Sequence, residues 1–280
     1  MTTAGQPVVG FIGGGNMARS LVGGLLQAGR AADTIQVSDP SADARERLAE
    51  LGAIGLGSDN EALVAGVDLL VLAVKPQAMR AVLEPLAPLL AQHQPLLVSI
   101  AAGLRTSALR RWAGAVPLVR CMPNTPALVG AGMSVLYGTA DVTDAGREQA
   151  EAVLATAGAV RWVDDEALLD AVTAVSGSGP AYFFHFMEAM IEAGMRQGLD
   201  PDTSRALVLQ TAFGAARMAQ GDTDPGTLRE QVTSKGGTTA EALRVFAEGD
   251  LMGLVDRAVA AAALRSVTLA QELEQSDPGA

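Results

Sequence analysis

Two clusters of small and hydroxyl-bearing residues stand out for the chemistry they could do. The first is Gly13-Gly14-Gly15-Asn16-Met17-Ala18. It follows a short apolar run, opens a helical pattern and fits G-x-G-x-x-A. In that pattern one glycine permits a tight turn, and the second lets a pyrophosphate approach the backbone. The small third residue lets helix meet strand. The helix start then offers unpaired N–H groups to phosphate. The second cluster is Ser234-Lys235-Gly236-Gly237-Thr238-Thr239. Gly236-Gly237 exposes backbone N–H groups, and a helix beginning near Thr238 turns its positive end toward the loop. Ser234 and Thr238 add donors, so the pattern reads as an anion cradle. It also fits a plain capping loop, with Thr238 or Thr239 bonding the first turn and Glu241 completing a box.

Two further segments belong with the first cluster. Ser38-Asp39-Pro40-Ser41 ends a second apolar run. An acidic residue in the place of Asp39 suits the ribose hydroxyls of NAD. Ser38 and Ser41 could instead donate to a 2′-phosphate, with Arg45 and Arg47 near enough to neutralise it, so NAD and NADP both remain open. Ala73-Val74-Lys75-Pro76-Gln77 ends another apolar run, where ligands of open α/β sheets bind. Lys75 and Lys235 are the lysines of the chain, and both sit in these loops.

The elements that must position these residues alternate in the first half. Runs at 8–12, 35–38, 67–74, 96–100 and 116–120 read as strands. Stretches at 16–28, 42–51, 76–90 and 106–112 read as helices. The alternation predicts a parallel sheet wrapped by helices. Beyond Trp162-Val163 no strand is expected. Segments 165–175, 180–197, 202–220, 238–247 and 251–273 read as helices, with start signals at Gly179-Pro180 and Asp200-Pro201. The predicted fold is therefore α/β. A Rossmann-type dinucleotide-binding domain over 1–164 precedes an all-helical domain over 165–280. Its Ala- and Met-rich helices are apolar on more than one face, which points to a subunit interface. The tail 275–280 reads as loose.

Composition narrows the function classes. The chain has 280 residues, 49% apolar and 18% charged, with a net charge of −11. That is too apolar for disorder and long enough to bury a real core. The acidic balance argues against nucleic acid as a partner. No apolar run reaches the length of a membrane span, and the opening five residues carry no basic start of a secretory signal. A cytoplasmic protein is expected. One cysteine, Cys121, excludes an internal disulfide, and two distant histidines, His93 and His185, make a metal site unexpected. Cys121 reads as a small buried apolar residue, Asn124 as a turn stabiliser and Tyr182 as core. Asp164-Asp165-Glu166 reads as a helix-start charge cluster.

The motifs together resemble the pyrroline-5-carboxylate reductases, which catalyse the last step of proline biosynthesis. The resemblance runs nearly end to end. It is carried by Gly10 through Ala18, Ala73-Val74-Lys75-Pro76, Ser99-Ile100-Ala101-Ala102-Gly103 and Arg120-Cys121-Met122-Pro123-Asn124-Thr125-Pro126. It continues through Asp170-Ala171-Val172-Thr173, Ser176 through Tyr182 and Val232 through Thr239. It implies a pyrophosphate loop at Gly13, Gly15, Asn16 and Met17, and a ribose contact at Asn60. Walls near the nicotinamide are implied at Ala73, Val74, Lys75, Pro76, Ala101 and Ala102. A loop of Ser234, Gly236, Gly237, Thr238 and Thr239 would cradle the substrate carboxylate and set a threonine hydroxyl at the ring nitrogen. It further implies a helical domain that interlocks two subunits, and NADP(H) as the favoured cofactor with NAD(H) possible. Asp39 departs from the small hydroxyl residue frequent at its place.

The chemistry agrees with the composition. Reducing a cyclic imine needs a hydride at carbon and a proton on nitrogen. The protonated imine is already electrophilic, so positioning is the protein's main task. Thr239 is the expected hydrogen-bond partner of the ring nitrogen. Two other readings fit parts of the pattern. Dehydrogenases of 3-hydroxyacids or 6-phosphogluconate place a catalytic lysine on a helix of the second half, whereas here Lys235 lies in the glycine loop. A dinucleotide sensor without turnover would not need the loop at 234–239.

Overall fold

The computed structural model describes Gln6 to Gln275; the first five residues and the tail from Ser276 lie outside the described residues, and Gln275 itself ends the last helix. By internal contacts the chain forms two compact units. One runs to Ser178 and resumes at Ala262; the other is Gly179–Ala261. Secondary structure changes character at 165, whereas compactness changes at 179.

The first unit alternates β1 (Val9–Ile12), α1 (Asn16–Gln27), β2 (Ile35–Ser38), α2 (Ala42–Ala49), β3 (Gly55–Gly57), α3 (Asn60–Val64) and β4 (Leu69–Leu72). It continues with α4 (Met79–His93), β5 (Leu96–Ser99), α5 (Thr106–Ala113), β6 (Leu118–Met122), β7 (Gly132–Gly138), α6 (Asp144–Leu154), β8 (Gly158–Trp162) and α7 (Leu168–Val172). The strands make one sheet in the order β3-β2-β1-β4-β5-β6-β7-β8. Gly10 sits opposite Gln36 on one side and Leu70 on the other. The strand order reverses at β1 and β4, the switch point where open sheets bind ligands.

Successive strand residues face opposite sides. Phe11, Val37, Leu69 and Val71 enter one apolar cluster, with Leu21, Val22 and Leu25 of α1. Ile12, Leu70 and Leu72 enter the other, with Leu83 and Leu86 of α4. Burial on both faces is why these strands read as unbroken apolar runs.

The sheet departs from the expectation in three strands. β3, β7 and β8 are absent from the predicted set, and β7 runs antiparallel to β6, so the sheet is mixed rather than parallel. The link from β6 to β7 carries only the short 3-10 turn Thr125–Val129, too little chain for a crossover helix. Gly132 and Gly158 let β7 and β8 close up, since a Cβ on Gly158 would overlap the Gly132 backbone. The segment read as a helix over 165–175 becomes α7 followed by a π-helical turn, Thr173–Gly177.

The second unit contains α8 (Gly179–Arg196), α9 (Pro201–Ala219), α10 (Pro225–Gln231), α11 (Thr238–Glu248) and α12 (Leu251–Gln275) as far as Ala261. α10 was not expected, although Asp224 caps it and Pro225 opens it. α8 and α9 meet where Gly194 leaves room for Ser204, whose hydroxyl donates to the Ile191 carbonyl at 2.8 Å. Val208 is the buried large apolar side chain of this unit. Phe183, Phe184, Phe213, Met218 and Met252 are exposed, Met252 to 84%. Tyr182 is exposed as well, contrary to the core role read for it. Among the described residues no helix is long and apolar enough to cross a membrane.

Candidate active site

Gly13 adopts φ +99°, a left-handed conformation that favours glycine, and a Cβ there would come within 2.7 Å of the Ala73 carbonyl. Its N–H donates to the Ser38 carbonyl at 2.8 Å, tying the turn to the end of β2. Gly14 donates to Asp39 Oδ2 at 2.6 Å. Gly15 differs: a Cβ there would meet nothing within 4 Å. The protein's own packing does not require a glycine at 15, and the backbone there is open to close approach.

Gly15 is also the N-cap of α1, which has no side-chain cap and no acidic residue in its first turn. Several other helices are capped, α2 by Ser41, α3 by Asp59, α6 by Thr143 and α9 by Asp200. The N–H groups at the start of α1 are free to receive an anion. Asn16 lies exposed there, and Met17 is half-buried against the core.

The neighbouring residues gather around this turn. Ser38 is buried and donates through Oγ to Asn60 Oδ1 at 2.6 Å, which leaves the Asn60 amide nitrogen to donate elsewhere. Ala73 and Val74 follow β4 half-buried, Lys75 is exposed and Pro76 opens a 3-10 turn. Ala101 is buried and Ala102 exposed in the loop after β5, which adjoins β4 through the bond from Ile100 N–H to the Leu72 carbonyl. An open groove of about 530 Å³ has Ser58 and Asn60 on one side and Ala81, Val82 and Pro85 on the other.

One network had no sequence signal. Buried Arg120 pairs with Glu166 at 2.9 Å, and Glu166 also accepts from the Thr106 N–H at 2.8 Å and the Thr106 hydroxyl at 2.6 Å. Glu166 thus caps α5 and neutralises a buried cation; it does more than add charge at a helix start. Asn124 accepts from the Met133 N–H at 2.8 Å and donates to the Ser176 carbonyl and hydroxyl at 3.2 Å, bracing the π-helical turn as a turn stabiliser would. Cys121 is buried, and burial pushes its thiol up to about 12 against an opposing hydrogen bond to Ser134, so it is no nucleophile.

In the second unit, the loop before α11 is open. Gly236 has φ +73° with nothing near a would-be Cβ, and Gly237 is the N-cap, held by its N–H to the Ser234 carbonyl at 3.0 Å. No side chain caps α11, and Glu241 pairs with Arg244 instead. The capping-box reading of this loop is therefore overturned. The hydroxyls of Ser234, Thr238 and Thr239 have no partner among the described residues, and Lys235 is exposed. Backbone donors, a helix start and three free hydroxyls can receive a carboxylate and one further polar atom.

An α/β sheet with an uncapped glycine turn at its switch point, followed by a helical segment, defines a dinucleotide-dependent oxidoreductase. The comparisons with known proteins narrow this class. The pattern of the pyrroline-5-carboxylate reductase dimerisation family matches residues 166–269, and that of the coenzyme F420-dependent NADP oxidoreductases matches 8–103. Pyrroline-5-carboxylate reductase of Pseudomonas aeruginosa is 50% identical over 96% of this chain and 99% of that relative. A solved pyrroline-5-carboxylate reductase from Coxiella burnetii superposes with a TM-score of 0.91 at 38% identity, covering 94% of this chain and 98% of the other. A Plasmodium falciparum pyrroline carboxylate reductase with NADP bound gives 0.82 at 31% identity, covering 95% and 99%. The chain belongs to the pyrroline-5-carboxylate reductase family. It is an NAD(P)H-dependent oxidoreductase of proline biosynthesis, and its dimerisation segment makes it a homo-oligomer.

Proposed function

We infer that this chain reduces 1-pyrroline-5-carboxylate to L-proline with the residues described above. The observation that carries the reading is the open loop before α11, whose backbone donors and unpartnered hydroxyls match a small carboxylate bearing an imine nitrogen. Gly13 shapes the turn, Gly15 and Asn16 receive the pyrophosphate, and Met17 backs them. Asn60 donates to the adenosine ribose, and the groove beside it takes the adenine. Ala73, Val74, Lys75, Pro76, Ala101 and Ala102 flank the nicotinamide.

The cofactor supplies the hydride when bound. The chain's own residues bind and orient. Gly236, Gly237, Ser234 and Thr238 hold the carboxylate. The Thr239 hydroxyl bonds the ring nitrogen, donating to the neutral imine and accepting from the protonated one. Holding both reactants in one geometry can supply about 7–11 kcal/mol of barrier lowering. The functional division falls at 164/165, with 1–164 serving the cofactor and 165–280 serving substrate and subunit contacts. The assembly is a homodimer or a higher homo-oligomer, formed on the exposed apolar helices. It works in the cytoplasm, without nucleic acid or membrane.

Incubating the purified chain with 1-pyrroline-5-carboxylate and NADPH, and following cofactor oxidation with proline formation, tests this. Stoichiometric proline supports it. Cofactor and imine binding without oxidation would identify a sensor and overturn it.

A further inference from the structure

We propose that Arg45 reads the 2′-phosphate of NADPH and sets the choice between the two dinucleotides. The inference rests on the cofactor site proposed above and adds its specificity residue. Four other groups near the end of β2 could take that part, and each is engaged or misdirected. Ser38 is 2% exposed and spends its hydroxyl hydrogen on Asn60. Asp39 accepts the Gly14 N–H on Oδ2 at 2.6 Å and the Ser41 N–H on Oδ1 at 2.8 Å. Its carboxylate is thereby a clamp on the glycine turn, and as an anion it repels a phosphate. The Ser41 hydroxyl accepts the Ala44 N–H at 3.3 Å as the cap of α2. Arg47 stands two residues after Arg45 on the same helix, so the two side chains leave on opposite faces.

Arg45 remains. Its Nη1 donates to the Asp39 carbonyl at 2.5 Å, so the half-buried guanidinium is fixed beside the strand end where the adenosine ribose belongs. No carboxylate pairs with it among the described residues, whereas Arg19, Arg80, Arg105, Arg110 and Arg120 each have one. A guanidinium has five donors, and one is used here. The others fit a phosphate dianion and offset the repulsion from Asp39.

The test uses the full chain with 1-pyrroline-5-carboxylate as substrate, and compares kcat/KM for NADPH and NADH in the wild type, Arg45→Gln and Arg45→Lys. The wild type is expected to prefer NADPH. In Arg45→Gln that preference should fall roughly 10–100-fold, through KM for NADPH rather than kcat. Arg45→Lys should recover part of it. Inhibition by 2′-AMP against 5′-AMP gives a second readout on the wild type, with 2′-AMP expected to be the stronger and to weaken with salt. A wild type that prefers NADH, or an Arg45→Gln variant that changes both cofactors equally or neither, overturns the assignment. If neither nucleotide binds the wild type, the cofactor site itself is wrong; if both bind and the ratio ignores Arg45, only this inference falls.

Discussion

The glycine turn after β1 and the one before α11 both carry adjacent glycines at a helix start, and have opposite constructions. The early turn is held by its own unit. Gly13 needs its positive φ, the Ala73 carbonyl bars a side chain, and Asp39 grips the Gly14 N–H. The late turn has a positive φ at Gly236 but nothing pressing on it, no cap and three hydroxyls without partners. The contrast extends to the units around them. The first buries two apolar clusters on the two faces of its sheet. The second buries Val208 and exposes Phe183, Phe184 and Phe213. A pyrophosphate site can be finished by one chain, because the donors are backbone groups locked by a sheet. The proposed carboxylate-and-imine site lies on a helical unit with so little core of its own that its exposed apolar faces call for covering by another copy. Each large side chain so covered contributes roughly 1.5–3 kcal/mol.

Thr239→Ala is expected to have the largest effect. It removes the proposed hydrogen-bond partner of the ring nitrogen and should lower kcat by about 10²–10⁴, with cofactor binding and thermal stability unchanged. Thr239→Ser should restore part of the rate. Unchanged turnover in Thr239→Ala would remove Thr239 from the chemistry.

Next in size is Glu166→Ala. It strands the buried Arg120 guanidinium and uncaps α5, and should cost about 3–5 kcal/mol of stability, read by chemical denaturation. A loss below about 1 kcal/mol would show that the first unit does not depend on this network.

Gly13→Ala and Gly236→Ala, compared side by side, sharpen the contrast directly. The first must fit a Cβ against the Ala73 carbonyl at φ +99°, and should lose about 1–3 kcal/mol of stability together with NADPH binding. The second carries only the left-handed penalty of about 1–2 kcal/mol, and should raise KM for the imine while sparing cofactor affinity. Equal effects on both ligands from both variants would erase the distinction.

The smallest expected effect is at Asp141, whose carboxyl faces Thr139 and Arg110. Burial raises its pKa, but the Thr139 hydrogen bond and Arg110 outweigh it and leave the group below the usual range. A depressed folded pKa means stability present above the unfolded value and lost as pH falls through the folded one. The pair is largely solvent-screened, so Asp141→Asn should remove only about 0.2–1 kcal/mol of the stability measured near neutrality. It should also flatten the decline below about pH 4. An unchanged acid limb would show that the pair contributes nothing.

Strands β1, β2, β4, β5 and β6 were legible because they are largely buried on both faces and appear as apolar runs, whereas β3 is a three-residue edge, Gly55–Gly57, with exposed ends. The glycine turn was legible because G-x-G-x-x-A needs few residues in fixed places. β7 and β8 were not, since Ser134 and Arg161 interrupt their short apolar runs. The role of Glu166 was hidden because its partners Arg120 and Thr106 lie 46 and 60 residues away. The capping box at Thr238 followed a valid local rule that Arg244 overrides by drawing Glu241 along the helix. The fate of Ser38 and Asp39 also needed coordinates, because only the fold sets one beside Asn60 and the other beside Gly14.

The most direct measurement follows the hydride itself. Cofactor carrying deuterium at the transferring position of the nicotinamide should give L-proline with one deuterium on the ring carbon beside nitrogen, distal to the carboxylate, as read by mass spectrometry and NMR. Proline without the label, or label exchanged into water, would contradict direct hydride transfer from nicotinamide to imine.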